Sequence, residues 1–238
     1  MTRTRPSPTP AAGVHALLVT ALRVELRALV KRLGLHPDGD GRFVSTDGRT
    51  LAACVGPGRT AGEHAAALLN TCHPRRVIVA GYAGGLTPGL GVAALVEPTR
   101  LVDAATGHAI GETHPDPERT LVTAAEPVCT PEAKRALGDR WQAAAVDMES
   151  YHVASACRAA DVPWRVVRAV TDAADHRVDP AVMTLIDERG AASPRKLIEV
   201  LLSRPWLIPS LCRLARRTAR ADRALAEAVR EALDALPP

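Results

Sequence analysis

One stretch, residues 145–175, limits what this chain can fold into more than any other. It reads as strand, helix and strand. Residues 143–146 are small, apolar and few enough for a buried strand. Residues 149–160 read as a helix, and residues 164–170 are valine-rich, as a central strand should be. A carboxylate follows each strand, Glu149 after the first and Asp172 after the second. Ligands of open α/β sheets bind at the carboxyl ends of strands, so the two acids stand where both could meet one small polar ligand. Two acids that merely cap a helix and a turn would leave the same pattern.

The rest of the chain repeats this alternation. Residues 14–20 form a first strand, followed by a helix to about Leu33 with Leu22, Leu26, Leu29, Val30 and Leu33 on one face. Glu25 lies in its first turn, where it could face the same crevice or simply favour the helix dipole. Residues 37–48 read as a loop or hairpin and residues 50–55 as a strand. Gly56-Pro57-Gly58-Arg59 then leads into a helix, with Thr60 and Glu63 spaced as a capping box. Such a turn offers backbone N–H groups to an anion, with Arg59 as a charged donor, although no Walker loop is present. Residues 76–80 form a buried strand that runs into Gly81-Tyr82-Ala83-Gly84-Gly85-Leu86. The paired glycines suit either a close approach to ligand or a tight turn. Residues 92–97 and 120–123 read as strands, and Thr130-Pro131 opens a helix. The intervening loop over 103–118 carries His108, His114 and Asp116 at no standard ligand spacing, so no metal is expected. The whole is an α/β fold, three layers deep (α/β/α), around a central mixed, mostly parallel sheet.

Composition supports one domain at 13–192, between a disordered tail at 1–12 and a basic amphipathic helical extension at 193–238. With 47% hydrophobic but only 3% aromatic residues, the core must be built from Ala, Val and Leu. A net charge of +4 gives no reason to expect nucleic acid. The five cysteines form no C-x-x-C pair and read as reduced thiols of a cytosolic protein. No run is apolar and long enough to span a bilayer, and residues 1–10 lack the apolar centre of a secretory signal.

Four separated stretches together resemble the nucleoside phosphorylase and nucleosidase superfamily, of the purine-nucleoside/uridine phosphorylase type. They are Ala21-Leu22-Arg23-Val24-Glu25, Gly56-Pro57-Gly58-Arg59, Gly81-Tyr82-Ala83-Gly84-Gly85-Leu86, and Ala145-Val146-Asp147-Met148-Glu149 with Arg168-Ala169-Val170-Thr171-Asp172. By motif the pattern is similar to the methylthioadenosine/adenosylhomocysteine nucleosidases. In its short middle loop and basic C-terminus it looks more like the hopanoid-associated phosphorylases.

The resemblance implies cleavage of the N-glycosidic bond of an adenine nucleoside, with adenosylhopane as the expected substrate. Methylthioadenosine-type salvage is the alternative, and a non-catalytic nucleoside-binding module is the alternative of another class. Glu25 would act on the nucleophile and Asp172 would give a proton to N7 of the purine, a proton that burial would help it hold. Glu149 would accept from ribose hydroxyls, Met148 would pack on the sugar, and Gly84 and Gly85 would approach the substrate backbone-first. Gly58, Arg59, Tyr82, Ala83, Asp147 and Thr171 complete the implied binding set. No cofactor is implied, with inorganic phosphate a candidate co-substrate. A carboxylate at Glu25 suits water, whereas Arg59 and Arg100 suit an anion. Tyr82 stands where relatives often carry a small residue, which weighs against a phosphate pocket.

The C-terminal region adds a second expectation. A helix over residues 210–236 places Leu211, Leu214, Ala215, Thr218, Leu225, Val229 and Leu233 on one stripe, with Arg213, Arg216, Arg217, Arg220 and Arg223 in its first half. This stripe could pack on the domain or on a second copy in a homo-oligomer. Residues 194–223 could instead touch an anionic membrane surface, with Trp206, Leu207 and Ile208 as anchor. The second choice would place a cytoplasmic protein at the inner face of the membrane, with a lipid-linked nucleoside as ligand.

Overall fold

The computed structural model describes residues 14–112, 116–179 and 208–235. The tail expected at 1–12, His114, and the Trp206–Leu207 anchor lie outside the described residues. In chain order the elements are β1 (Ala16–Thr20), α1 (Arg23–Leu33), β2 (His36–Gly39), β3 (Arg42–Val44), β4 (Thr50–Cys54), α2 (Ala61–Cys72), β5 (Arg76–Gly85), β6 (Leu95–Val96), β7 (Arg100–Asp103), β8 (Ala109–Gly111), β9 (Thr120–Thr123), α3 (Pro131–Trp141), β10 (Ala145–Asp147), α4 (Ser150–Ala159), β11 (Trp164–Asp172) and α5 (Ile208–Asp234).

All the strands belong to one mixed sheet with β5 at its branch point. β5 runs parallel to β1 on one side and to β11 on the other, and its far end turns to pair antiparallel with β10. Beyond β10 the sheet continues through β9 and β7, both parallel. The 37–48 segment is the hairpin β2–β3, laid antiparallel on β4. Alternation along the strands sorts the core into two faces. Leu17, Val19, Val77, Val79, Leu121, Val166 and Val170 meet Val153 and Cys157 of α4 and Ala65 and Leu69 of α2. Leu18, Ile78, Ala80, Val167 and Ala169 meet α1 and α5, and Val102, Val122 and Val146 meet Leu137 and Trp141 of α3. These are the three layers expected.

One local detail differs from expectation and another agrees with it. Thr60 does not cap α2 through its side chain, because it is itself in helical conformation; its hydroxyl turns back to the Pro57 carbonyl (3.4 Å). Thr130 does cap α3, its Oγ1 accepting from the Ala133 N–H (3.2 Å) with Pro131 in the first turn. The C-terminal helix, over its described residues, packs on the domain. Ala221, Leu225, Ala226, Ala228, Val229 and Ala232 are buried against α1 and the sheet. Burial of this Ala-rich stripe lets the helix lie close to the strands. No helix among the described residues is long and apolar enough to cross a membrane.

Candidate active site

Three neighbouring strands end on polar residues in register: Asp103 of β7, Thr123 of β9 and Asp147 of β10. The Thr123 hydroxyl donates to Asp147 Oδ1 (2.8 Å). Asp147 Oδ2 accepts the first N–H of α4, from Ser150 (3.0 Å), and forms an ion pair with Arg168 Nη2 (2.6 Å). Arg168 also donates from Nε and Nη2 to Ser150 Oγ (3.1 and 3.0 Å). Both partners of the ion pair have side chains only 1% exposed. The sequence put Asp147 among the substrate contacts. With both its oxygens committed inside the protein, it instead ties β11 to the start of α4.

That tie fixes Glu149, the residue before α4. Its Oε1 accepts the backbone N–H of Gly58 (2.9 Å), bringing the Gly56–Arg59 turn onto the site across 91 residues of sequence. Among the described residues its Oε2 has no hydrogen bond. Burial, and then the charge of Asp147, push the Glu149 carboxyl up to about 8, against the pull of Arg168.

Glu25 comes to the same region from the first turn of α1. Its Oε2 accepts the Leu22 N–H (2.8 Å) and its Oε1 the Tyr82 N–H (2.9 Å). It is buried, and that burial raises its carboxyl above the usual range, while Arg168 and the two N–H donors draw it back. Gly81 shows why the spot is crowded. It is the register partner of Arg168, and a Cβ placed on it would lie 2.0 Å from Arg168 Nη1 and 2.7 Å from Glu25 Oε1. Arg168 Nη1 is buried without a hydrogen-bond partner. Arg168 Nη1 and Glu25 Oε1 therefore crowd the Gly81 Cα, where hydrogen fits and a further heavy atom does not, and no ion pair joins Glu25 and Arg168 among the described residues.

Asp172 is aimed elsewhere by a bulge. Arg168 and Val170 face the α2/α4 layer, and strict alternation would send residue 172 the same way. The register slips between Val170 and Asp172, so that Asp172 pairs with Gly84 and turns to the α3 side. Gly84 also faces Val146 of β10. A Cβ on Gly84 would stand 3.2 Å from Asp172 Oδ2 and 3.3 Å from Val146 Cγ1, so this glycine makes room for the acid. Asp172 Oδ1 accepts from the Thr171 hydroxyl (2.9 Å) and Oδ2 from Lys134 Nζ (2.5 Å). Asp172 is thus held by a cation, not by the apolar burial expected from sequence. Val146 and Asp172 flank one strand, which sets their backbones roughly 10 Å apart.

Other residues fall less centrally. The Tyr82 hydroxyl donates to Asp222 of α5, on the opposite side of the sheet from Gly81, and only its backbone N–H serves the site. Ala83 is core, with its carbonyl accepting from Thr171 (3.5 Å). Gly85 packs against the Leu90 carbonyl and Ala173. Met148 is half-buried. Arg59 is 73% exposed, 4.0 Å from Asp103. A cavity of about 570 Å³ lined by Leu86, Pro131, Gly138 and Asp175 reaches none of Glu25, Glu149 or Asp172.

Sequence reasoning passed over Arg168, Ser150 and Lys134. A charged residue inside the apolar run Val166-Val167-Arg168-Ala169-Val170 was a readable signal. Lys134 shares a helical stripe with Leu137 and Trp141, a weaker one.

Residues 116–203 match the family model of the phosphorylase superfamily, which bears out the resemblance seen in sequence. Solved structures share the fold of the chain, three of them as follows. The 5′-methylthioadenosine/S-adenosyl homocysteine nucleosidase of Helicobacter pylori is 17% identical with a TM-score of 0.66, over 94% of this chain and 99% of that one. The futalosine hydrolase of Helicobacter pylori is 17% identical with a TM-score of 0.64, over 92% and 97%. A putative 5′-methylthioadenosine/S-adenosylhomocysteine nucleosidase of Francisella philomiragia is 18% identical with a TM-score of 0.62, over 92% and 98%.

Proposed function

We propose that this chain, which carries the phosphorylase-superfamily signature over residues 116–203 and the fold of the nucleosidases, cleaves the N-glycosidic bond of a purine nucleoside with water as nucleophile. The observation that carries this reading is the buried carboxyl of Glu25, held by the Leu22 and Tyr82 N–H groups beside Arg168, where burial raises it towards the range of a general base. Glu25 takes the proton the water loses as it adds to C1′. Glu25 at the nucleophile would repel phosphate. Glu149, its carboxyl lifted to about 8 by burial, hydrogen-bonds the ribose hydroxyls through Oε2 and holds the sugar as C1′ takes positive charge. Asp172 meets the base and supplies the proton that neutralises it as the C1′–N9 bond breaks.

The 5′ substituent is the finer part of the proposal. Adenosylhopane is the substrate we favour, and a methylthioadenosine-type nucleoside the alternative. The Arg-rich first half of α5, with Arg216, Arg220 and Arg223 exposed, supports contact with an anionic membrane at the cytoplasmic face. Liposome co-sedimentation with and without anionic lipid tests that part alone, and absence of binding would remove it.

Adenine release from adenosine and 5′-methylthioadenosine, with and without phosphate, tests the reaction. Release without phosphate is expected, reduced about 10²–10⁴-fold in both Glu25→Gln and Asp172→Asn. An absolute need for phosphate would overturn the water reading. Unchanged release in both variants would overturn the roles, and no release at all would leave a binding module.

A further inference from the structure

One ionisable group next to the base has no part in the reaction as written. Lys134 is 0% exposed, and its Nζ spends its N–H bonds on Asp172 Oδ2 (2.5 Å), the Ala173 carbonyl (2.8 Å) and the His176 carbonyl (3.1 Å). Burying an ammonium group is costly, and pairing repays that cost only where the geometry is good. An apolar residue would suit the stripe that Leu137 and Trp141 continue. Tying α3 to the turn after β11 would need only a neutral donor. What a lysine adds at this place is a proton held against the acid that faces the leaving base.

We propose that Lys134 is a positioning residue for base departure: it fixes Asp172 and shares with it the one proton that Asp172 passes to the purine. This rests on the reaction proposed above. Amine and carboxylate together hold a single transferable proton, whether it sits on nitrogen or on oxygen. When C1′–N9 breaks, its electron pair goes to the purine, and the shared proton passes through Asp172 to N7. A carboxylate and a neutral amine remain. Water adds its oxygen to C1′ and loses a proton to Glu25. Glu25 then releases that proton to solvent, and Lys134 takes one up. The sum is nucleoside plus water giving ribose and purine. Thr171, donating to the other oxygen, keeps the carboxyl in the plane that presents it to both partners.

The test compares two leaving groups in Lys134→Met. Purine release from adenosine or 5′-methylthioadenosine needs a proton, and cleavage of para-nitrophenyl riboside does not, because the nitrophenolate leaves unaided. The expected result is a loss of about 100-fold or more in kcat for the purine, with KM little changed, and of less than about tenfold for the nitrophenyl riboside. Equal losses on both substrates would reduce Lys134 to a structural tie, and an unchanged purine rate would remove its role. If Lys134→Met fails to fold, Lys134→Met/Asp172→Asn removes both charges together. Its purine rate should equal that of Asp172→Asn alone, and a further tenfold loss would overturn the proposal. A wild-type chain that cleaves the nitrophenyl riboside but no purine nucleoside would overturn the purine reading, and Lys134 with it. Equal losses in the variant would overturn Lys134 alone.

Discussion

Replacing Arg168 by Met keeps the aliphatic stem and removes the guanidinium. Asp147 would then remain buried, with the Thr123 hydroxyl and the Ser150 N–H as donors but no cation. Breaking a buried pair by removing one partner costs about 3–5 kcal/mol. For a chain of this size each kcal/mol lowers Tm by about 2–4 °C, so the expected fall is roughly 6–20 °C. The lost hydrogen bonds to Ser150 Oγ add to the same side. Much of the cost is the stranded carboxylate, so Arg168→Met/Asp147→Leu should recover at least about 1 kcal/mol relative to the sum of the single changes. Urea unfolding followed by circular dichroism, with all four proteins at one pH, measures the cycle. Base release should fall in all three variants, because the Arg168–Asp147 pair and the Ser150 N–H set the start of α4 and with it Glu149. A Tm drop of less than about 2 °C in Arg168→Met, or strictly additive costs, would refute the claim that this pair ties β11 to α4.

Three further outcomes follow from the geometry. Gly81→Ala would push a methyl into Arg168 Nη1 and Glu25 Oε1; strain of about 1–3 kcal/mol and loss of base release are expected, and an active variant with unchanged Tm would contradict the crowding. Burial lifts Glu149 from 4.5 to about 8, so the folded chain keeps a proton there that the unfolded chain gives up. Its stabilising effect is whole below pH 4.5 and lost as pH rises to about 8, with Glu25, also raised by burial, acting in the same direction. Glu149→Gln should flatten the urea midpoint across that window, and an equal slope in both proteins would count against it. Leu225→Ala, at a site 1% exposed, should cost about 2–5 kcal/mol in the same unfolding assay, and a negligible change would mean α5 is not core.

Much of the fold was legible because its signals are local. Apolar runs bounded by turn residues marked the strands, Thr130-Pro131 marked the start of α3, and Glu25, Glu149 and Asp172 were each visible as an acid just past a strand or at a strand end. What the acids touch was less legible. Asp147 reads like a ligand contact until its oxygens are found on Ser150, Thr123 and Arg168. Tyr82 reads like a member of the binding set until Asp222, 140 residues on, takes its hydroxyl.

By itself, then, the sequence determined the order of the central strands and helices, the layer architecture and the strand ends that carry charge, while β7 was not marked as a strand and β8 fell in what reads as a loop. Only the tertiary structure decided which charges meet. Two reasons are physical. A single-residue bulge reverses which face the next side chain takes, and so sent Asp172 to Lys134, 38 residues away in sequence. A buried arginine needs a partner from whichever strand lies beside it, and the sheet order, with β10 and β11 both against β5, made that partner Asp147.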